Sequence, residues 1–302
     1  MLIDFREEKT MTFYRKTRTA LFRNSSVIRR FLLMLLIVLS ACSGSVHTAK
    51  AEPAAAVPAE SEVPVVPANK SGHVDEWVRK NGYMYYYGSL GKKLKGMQKI
   101  GKKKYLFDQK GRQKTGWQKV GKSYYFFQMK NGKKGYMVCS KTVNQIPLRK
   151  NGKAAFAGTR MALLWKCSQI VESHTKPTWS VSKKMSTIWH WFQSNIGYAG
   201  YSFHLSGDWD VYYATLCFSK GWASCEGLGC AWAFLANACG AGNCYSVSDT
   251  GHGWAEVDGL VYDPACARYD GHRDDYYAMS MSLSGVGGRP NYGRNGAYKK
   301  RV

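Results

Sequence analysis

Gly251-His252-Gly253-Trp254-Ala255-Glu256-Val257-Asp258-Gly259-Leu260-Val261-Tyr262-Asp263-Pro264 is the stretch from which the later part of the fold can be read. Residues 254–257 and 260–263 are short strand-like runs, and the Asp258-Gly259 dipeptide between them favours a two-residue type I′ hairpin. That turn fixes the register: Val257 opposite Leu260, Glu256 opposite Val261, Ala255 opposite Tyr262, Trp254 opposite Asp263. Strand side chains alternate faces, so His252, Trp254 and Glu256 share one face and Asp263 lands on it. His252 and Asp263 are then diagonal neighbours, roughly 7–8 Å apart, within reach of a ring and a carboxylate.

A third residue type completes the chemistry upstream. Ser224-Cys225-Glu226-Gly227-Leu228 opens a run in which Leu228, Ala231, Trp232, Leu235 and Ala238 recur at helical spacing. A helix over about residues 225–238 follows, with one buried face. A thiol in its first turn feels the positive end of the helix dipole, which favours the thiolate. Gly227 and Gly229 are poor helix formers, and close approach of a substrate or strand is the reason expected for them. A cysteine taken alone is more often an inert small hydrophobe than a nucleophile. Beside a His–Asp pair the balance reverses: Cys225 attacks, His252 moves the proton, and Asp263 orients the imidazole.

These residues resemble the transglutaminase-like cysteine enzymes. The shared blocks are Cys225-Glu226-Gly227, His252-Gly253-Trp254-Ala255-Glu256-Val257 and Asp263-Pro264-Ala265, preceded by a helical stripe at Val181, Met185, Ile188, Phe192 and Ile196 that ends in Asn195-Ile196-Gly197-Tyr198. The resemblance covers roughly residues 160–270 and implies an α+β papain-like domain that forms a thioester on Cys225. Gly253, Ala255 and Ala265 depart from the usual Ala, Asn and Thr. Trp254 and Glu256 are expected on the substrate-binding side, Trp254 as a wall and Glu256 satisfying a buried partner. His190, His204 and His272 lie in no comparable context and are read as structural or surface residues.

The chain carries 44 basic and 20 acidic residues, unevenly placed. Residues 71–156 hold 21 Lys plus Arg against 3 Asp plus Glu, a balance of +18, whereas residues 157–302 hold 13 against 11, only +2. The cationic field therefore belongs to the middle segment and attracts anionic polymers. Nucleic acid is one such polymer and a bacterial envelope polymer another; an export signal favours the second, and no nucleic-acid partner is expected. That signal is Arg29-Arg30 followed by Phe31-Leu32-Leu33-Met34-Leu35-Leu36-Ile37-Val38-Leu39, too short a run for a comfortable membrane span. Met11 is a second candidate start. Leu39-Ser40-Ala41-Cys42 resembles a lipoprotein box with Cys42 as the lipidated residue, and Ala49-Lys50-Ala51 resembles a signal peptidase site. The expected organisation is an export signal over 1–51, a Pro/Ala-rich linker over 52–70, basic repeats over 71–156 and the cysteine domain over 157–302.

The repeats show in Trp77, Met97, Trp117 and Tyr136, spaced by 20, 20 and 19 residues. Between them recur Gly101-Lys102-Lys103-Lys104-Tyr105-Leu106-Phe107 and Gly121-Lys122-Ser123-Tyr124-Tyr125-Phe126, with an earlier copy at Asn81-Gly82-Tyr83-Met84-Tyr85-Tyr86-Tyr87 and a decayed one near Asn151-Gly152-Lys153. A lone hairpin cannot bury its aromatics, so an all-β hairpin-repeat solenoid is expected. From about Glu76 to Val138 it resembles the cell-wall-binding or choline-binding repeats of Gram-positive surface proteins. That resemblance implies wall contact through Trp77, Tyr85, Tyr105, Trp117, Tyr124 and Tyr136. Choline would be held by cation–π contact, but Met97 opens one cage and the lysines repel a cation. An anionic or glycan wall polymer is the expected ligand.

Nine cysteines are many for an exported chain. Cys239-Gly-Ala-Gly-Asn-Cys244 is flexible enough for a small disulfide loop. Cys225-x4-Cys230 and Cys239-x4-Cys244 lack a histidine at zinc-site spacing, so neither metal nor cofactor is expected. The residues point to an extracellular, wall- or membrane-surface-associated cysteine enzyme with a possible lipid anchor. Its substrate is a peptide or protein, hydrolysis being favoured over crosslinking; an inactive wall-binding adhesin is the rival.

Overall fold

Three β-hairpins of one design open the described chain. The computed structural model describes residues 72–129, 135–200, 203–293 and 297–302. The export signal, Cys42 and the 52–70 linker lie outside them. Strands β1 (Glu76–Lys80) and β2 (Tyr83–Tyr87), β3 (Gly96–Ile100) and β4 (Lys103–Phe107), and β5 (Gly116–Val120) and β6 (Ser123–Phe127) pair as separate two-stranded antiparallel sheets. Trp77 faces Tyr86, Met97 faces Leu106 and Trp117 faces Phe126, so the 20-residue spacing reproduces one register. The turns explain it. Asn81 and Gly82 both have positive φ, as a type I′ turn requires, while Gly101 and Gly121 supply the single positive φ of the later two. Neighbouring hairpins are tied by backbone bonds, Gln113 N–H to Met84 O and Met137 N–H to Lys104 O, each 2.8 Å. A two-residue pair, β7 (Thr142–Val143) and β8 (Ile146–Pro147), closes the series.

The chain then turns helical: α1 (Thr159–His174), α2 (Val181–Asn195), α3 (Trp209–Lys220) and α4 (Cys225–Cys239), with the short parallel pair β9 (Gly197–Tyr198) and β10 (Trp222–Ala223) between. Ser180 caps α2 by accepting from the Lys183 N–H at 3.2 Å. The stripe at Met185, Ile188 and Phe192 is buried as its spacing predicts, and Ile196 follows it into the core. Gly221 and Gly240 end α3 and α4 in the left-handed conformation. Helix α4 is apolar all round and buried nearly throughout, which makes it the central element.

An antiparallel sheet packs on α4, in the order β13 (Leu260–Tyr262), β12 (Gly253–Val257), β11 (Cys244–Ser248), β14 (Tyr298–Arg301). Ala255 pairs with Tyr262, Glu256 with Val261 and Val257 with Leu260, the register that the Asp-Gly turn predicts. Asp258 and Gly259 both have positive φ. Two glycines set how closely sheet and helix approach. A Cβ on Gly229 would stand 2.6 Å from the Trp254 carbonyl, and one on Gly253 would stand 2.3 Å from Glu226 Cα. The approach that glycine in α4 suggests is thus made by a strand.

Trp117, Phe126, Ile146 and Leu148 from the hairpin side belong to the same apolar cluster as Met161, Ile188, Trp232 and Leu235 from the helices. The described residues accordingly fall in one compact unit, Val66–Val302, a mixed α/β structure fronted by small hairpins. An ion pair inside it joins Arg160 of α1 to Asp210 of α3 at 3.0 Å. No helix among the described residues is long and apolar enough to cross a membrane.

Candidate functional site

Cys225 is the first residue of α4 and is half-buried, with its thiol donating to Glu226 Oε2 at 3.2 Å. Ser224 precedes it but does not cap the helix: its hydroxyl donates to the same Glu226 oxygen at 2.8 Å. The first turn of α4 is therefore left without a side-chain acceptor on its N–H groups, next to the thiol.

His252 is presented by a tight turn. The Asp249 carboxylate accepts from the backbone N–H of Gly251 at 3.1 Å and of His252 at 2.8 Å, across a Thr250 of positive φ. The ring Nε2 meets Asp263 Oδ2 at 2.6 Å. Asp263 is wholly buried and caps the short helix α5 (Pro264–Tyr269), its Oδ1 accepting from Ala265 N at 3.1 Å and Cys266 N at 3.0 Å. Tyr292 donates its hydroxyl to Oδ2 at 2.9 Å. Burial alone would push this carboxyl up, but the His252 bond and charge and the α5 amides hold it below the usual aspartate range. Burial lowers the imidazole in turn, yet the Asp263 bond and contacts with the Cys225 and Cys266 thiols raise it well above the ordinary histidine value.

Cys225, His252, Tyr198, Cys266, Arg268 and Tyr269 line one cleft of about 460 Å³. Two thiols thus face it, and they differ. Cys266 Sγ lies 3.9 Å from His252 Nε2, and burial pushes its thiol up to about 11, so it stays protonated near neutral pH. Asp263 holds Nε2, and Cys225 lines the same cleft as the ring. The hairpin therefore joins His252 to Asp263, and the start of α4 brings Cys225 to the same cleft.

Trp254 and Glu256 need correction. Neither lines the cleft. Trp254 is 1% exposed, stacked beneath the His252 ring at 6.1 Å and set edge-on to Tyr292 at 5.1 Å. Glu256 accepts from Lys299 Nζ at 2.7 Å and from Trp254 Nε1 at 3.4 Å. Trp254 supports the histidine from behind and Glu256 holds Trp254, because the strand face that carries them is covered by Val247, Met279 and Tyr292. Cys266, Asp249 and Tyr292 were not foreseen. Only for Cys266 was there a local signal: an Asp-Pro helix start turns the third residue back toward the cap.

His252, Asp263 and Cys266 also offer three ligand atoms within 4.8 Å of one another. Two ligands on one zinc ion at about 2.0–2.1 Å stand farther apart than a hydrogen-bonded pair, and the 2.6 Å Nε2–Oδ2 separation is that of a shared proton. All eight described cysteines are free thiols, Cys239 and Cys244 included, so the small disulfide loop is not formed. Burial pushes Cys217 and Cys239 up to about 12 and raises Cys167, Cys230 and Cys244 as well.

The six aromatic positions expected to touch the wall divide. Trp117 is 2% exposed, edge-on to Phe126 at 5.2 Å, with its Nε1 donating to Asn144 Oδ1 at 2.9 Å. Tyr105 is buried too, 4.9 Å from the Trp77 ring. These rings hold the hairpins together and onto α1, and Trp117 and Tyr105 present no face to a ligand. The partly open rings carry cations of the chain itself: Lys93 over Tyr85 at 4.2 Å, Lys103 over Tyr136 at 4.6 Å and Lys119 over Tyr124 at 5.5 Å.

Residues 94–136 match the choline-binding repeat. A structural counterpart is the choline-binding domain of a Streptococcus pneumoniae protein, 20% identical over 28% of this chain and 99% of that one, with a TM-score of 0.26. Choline-binding protein F of Streptococcus pneumoniae, crystallised with a peptidoglycan analogue, is 25% identical over 26% of each chain, with a TM-score of 0.24. A pneumococcal cell-wall endolysin from phage Cp-1, in complex with choline, is 26% identical over 28% of this chain and 25% of that one, with a TM-score of 0.20. No curated protein matches the chain.

Proposed function

We propose that this is an extracellular, wall-associated cysteine acyl-transfer enzyme, in which choline-binding-type repeats hold a papain-like, transglutaminase-like domain against the bacterial wall. One observation carries the catalytic part: the 2.6 Å His252–Asp263 contact sits in the same cleft as a thiol at a helix start. The repeat match over residues 94–136 carries the wall-binding part.

In this reading the Cys225 thiolate attacks a carbonyl carbon while the raised imidazole stands opposite as imidazolium. The uncapped N–H groups of the first turn of α4 receive the oxyanion. Collapse breaks the bond to the leaving amine, which takes its proton from His252, and leaves a thioester on Cys225. His252 then accepts a proton from water as the water attacks, and the acid is released with the thiol restored. Asp263 stays charged throughout, held by Tyr292 and the α5 amides. An amine in place of water would give a crosslink. Hydrolysis of peptide or wall-peptide amides is the favoured outcome.

The test is incubation of the full chain and its Cys225→Ala variant with wall material and a labelled primary amine. Mass spectrometry reads new carboxyl termini or amine adducts. Cleavage products from the wild type alone support the hydrolase; adducts alone support the transamidase. Neither product, with retention on the wall intact, supports the second reading, a non-catalytic wall-binding protein, which the repeat match favours.

A further inference from the structure

A groove of about 680 Å³ lies where the last repeat meets the end of α4, away from the Cys225 cleft. Lys102, Lys103, Lys104, Lys141 and Lys150 line it, and no Asp or Glu does. All five lysines are exposed, and none is in an ion pair among the described residues. Lys102 to Lys104 are set by the Gly101 turn and the start of β4, and Lys141 and Lys150 flank the β7–β8 pair, so backbone structure brings charge from two segments to one groove. Its wall also contains Gln128, whose buried Oε1 has no hydrogen-bond partner among the described residues.

We propose that this groove binds a phosphodiester polymer. The lining decides the class. Five ammonium groups with no guanidinium suit point-like phosphate charges better than carboxylates, which arginine pairs bidentately. A nucleic acid needs open aromatic faces on which to stack bases. Here Tyr136 is covered by Lys103 and Phe126 is buried against Trp117, so neither ring receives a base. The inference rests on the wall-binding reading and moves the contact from the aromatic cages between repeats to a basic channel beside them.

The experiment uses the full chain carrying Cys225→Ala and poly(glycerol phosphate) as the probe, with affinity measured between 50 and 200 mM salt. Four or five phosphate contacts at about −0.7 each give a slope of log affinity on log salt of about −3. The variant Lys104→Glu/Lys141→Glu/Lys150→Glu is expected to bind at least tenfold more weakly and to flatten the slope to about −1. The control variant Lys80→Glu/Lys92→Glu/Lys95→Glu reverses the same number of exposed charges outside the groove and is expected to keep affinity within threefold. Equal losses in both variants would overturn the proposal in favour of diffuse attraction, and so would tighter binding of single-stranded DNA than of the probe. Retention on whole walls that survives chemical removal of their phosphate polymers would sink the groove while leaving wall binding in place.

Discussion

Replacing Asp263 by Asn tests how the imidazole is held. The change keeps the size of the side chain and its oxygen for the Ala265 and Cys266 amides, but removes the charge that meets His252 Nε2 at 2.6 Å. A hydrogen bond to a charged group contributes about 1.5–3 kcal/mol. At about 1.4 kcal/mol per pKa unit, its loss lowers the imidazole by roughly one to two units, and loss of the longer-range attraction lowers it further. The ring is mostly buried, so its desolvation then weighs more heavily and its midpoint falls toward the ordinary histidine value. The amide NH2 also faces Nε2 and reverses the tautomer. Proton NMR of the His252 ring is the assay. The wild-type midpoint is expected well above the ordinary histidine value, and that of the variant is expected to lie lower by about one to two units or more. Turnover should fall by up to about 10⁴, the loss seen when the same change is made in a Ser–His–Asp triad. An unchanged His252 midpoint in Asp263→Asn would refute the reasoning.

Gly253→Ala puts a methyl 2.3 Å from Glu226 Cα, and because the obstacle is backbone the strand must move; a loss of about 1–3 kcal/mol by urea denaturation is expected, with slower Cys225 chemistry. Trp117→Ala should cost about 3–5 kcal/mol of stability through the core it fills, and any loss of wall retention should track the unfolded fraction. The Asp263 carboxyl is lowered on folding, so its contribution is fully present above about pH 3.8 and disappears as pH falls through the lower folded value. Acid unfolding of Asp263→Asn should therefore be less steep than that of the wild type below that pH.

Local signals in the sequence were strong enough to place the His252–Asp263 pair. A two-residue turn leaves one register, and alternation does the remainder, so Asp258-Gly259 determined the contact without tertiary information. The same holds for the start of α4, where apolar periodicity marks the helix and Cys225 is its first residue. The supporting groups come from farther off. Tyr292 reaches Asp263 across 29 residues, and Asp249 acts through a turn whose only local mark is a non-glycine residue of positive φ. Trp254 was misplaced because alternation names the shared face but not what covers it; Val247, Met279 and Tyr292 close over that side. The repeats show the same limit. Their period gave the register, yet that Trp117 turns inward depends on α1 and Asn144, which no periodicity within the hairpins encodes.

The measurement that bears most directly on the account is the rate at which each thiol of the native chain is carbamidomethylated by iodoacetamide at pH 7, read residue by residue by mass spectrometry. Cys225 is predicted to react fastest, with Cys266 and the buried thiols far behind, and His252→Ala is predicted to slow Cys225 alone. A Cys225 that reacts no faster than Cys266, or that is indifferent to His252→Ala, would contradict it.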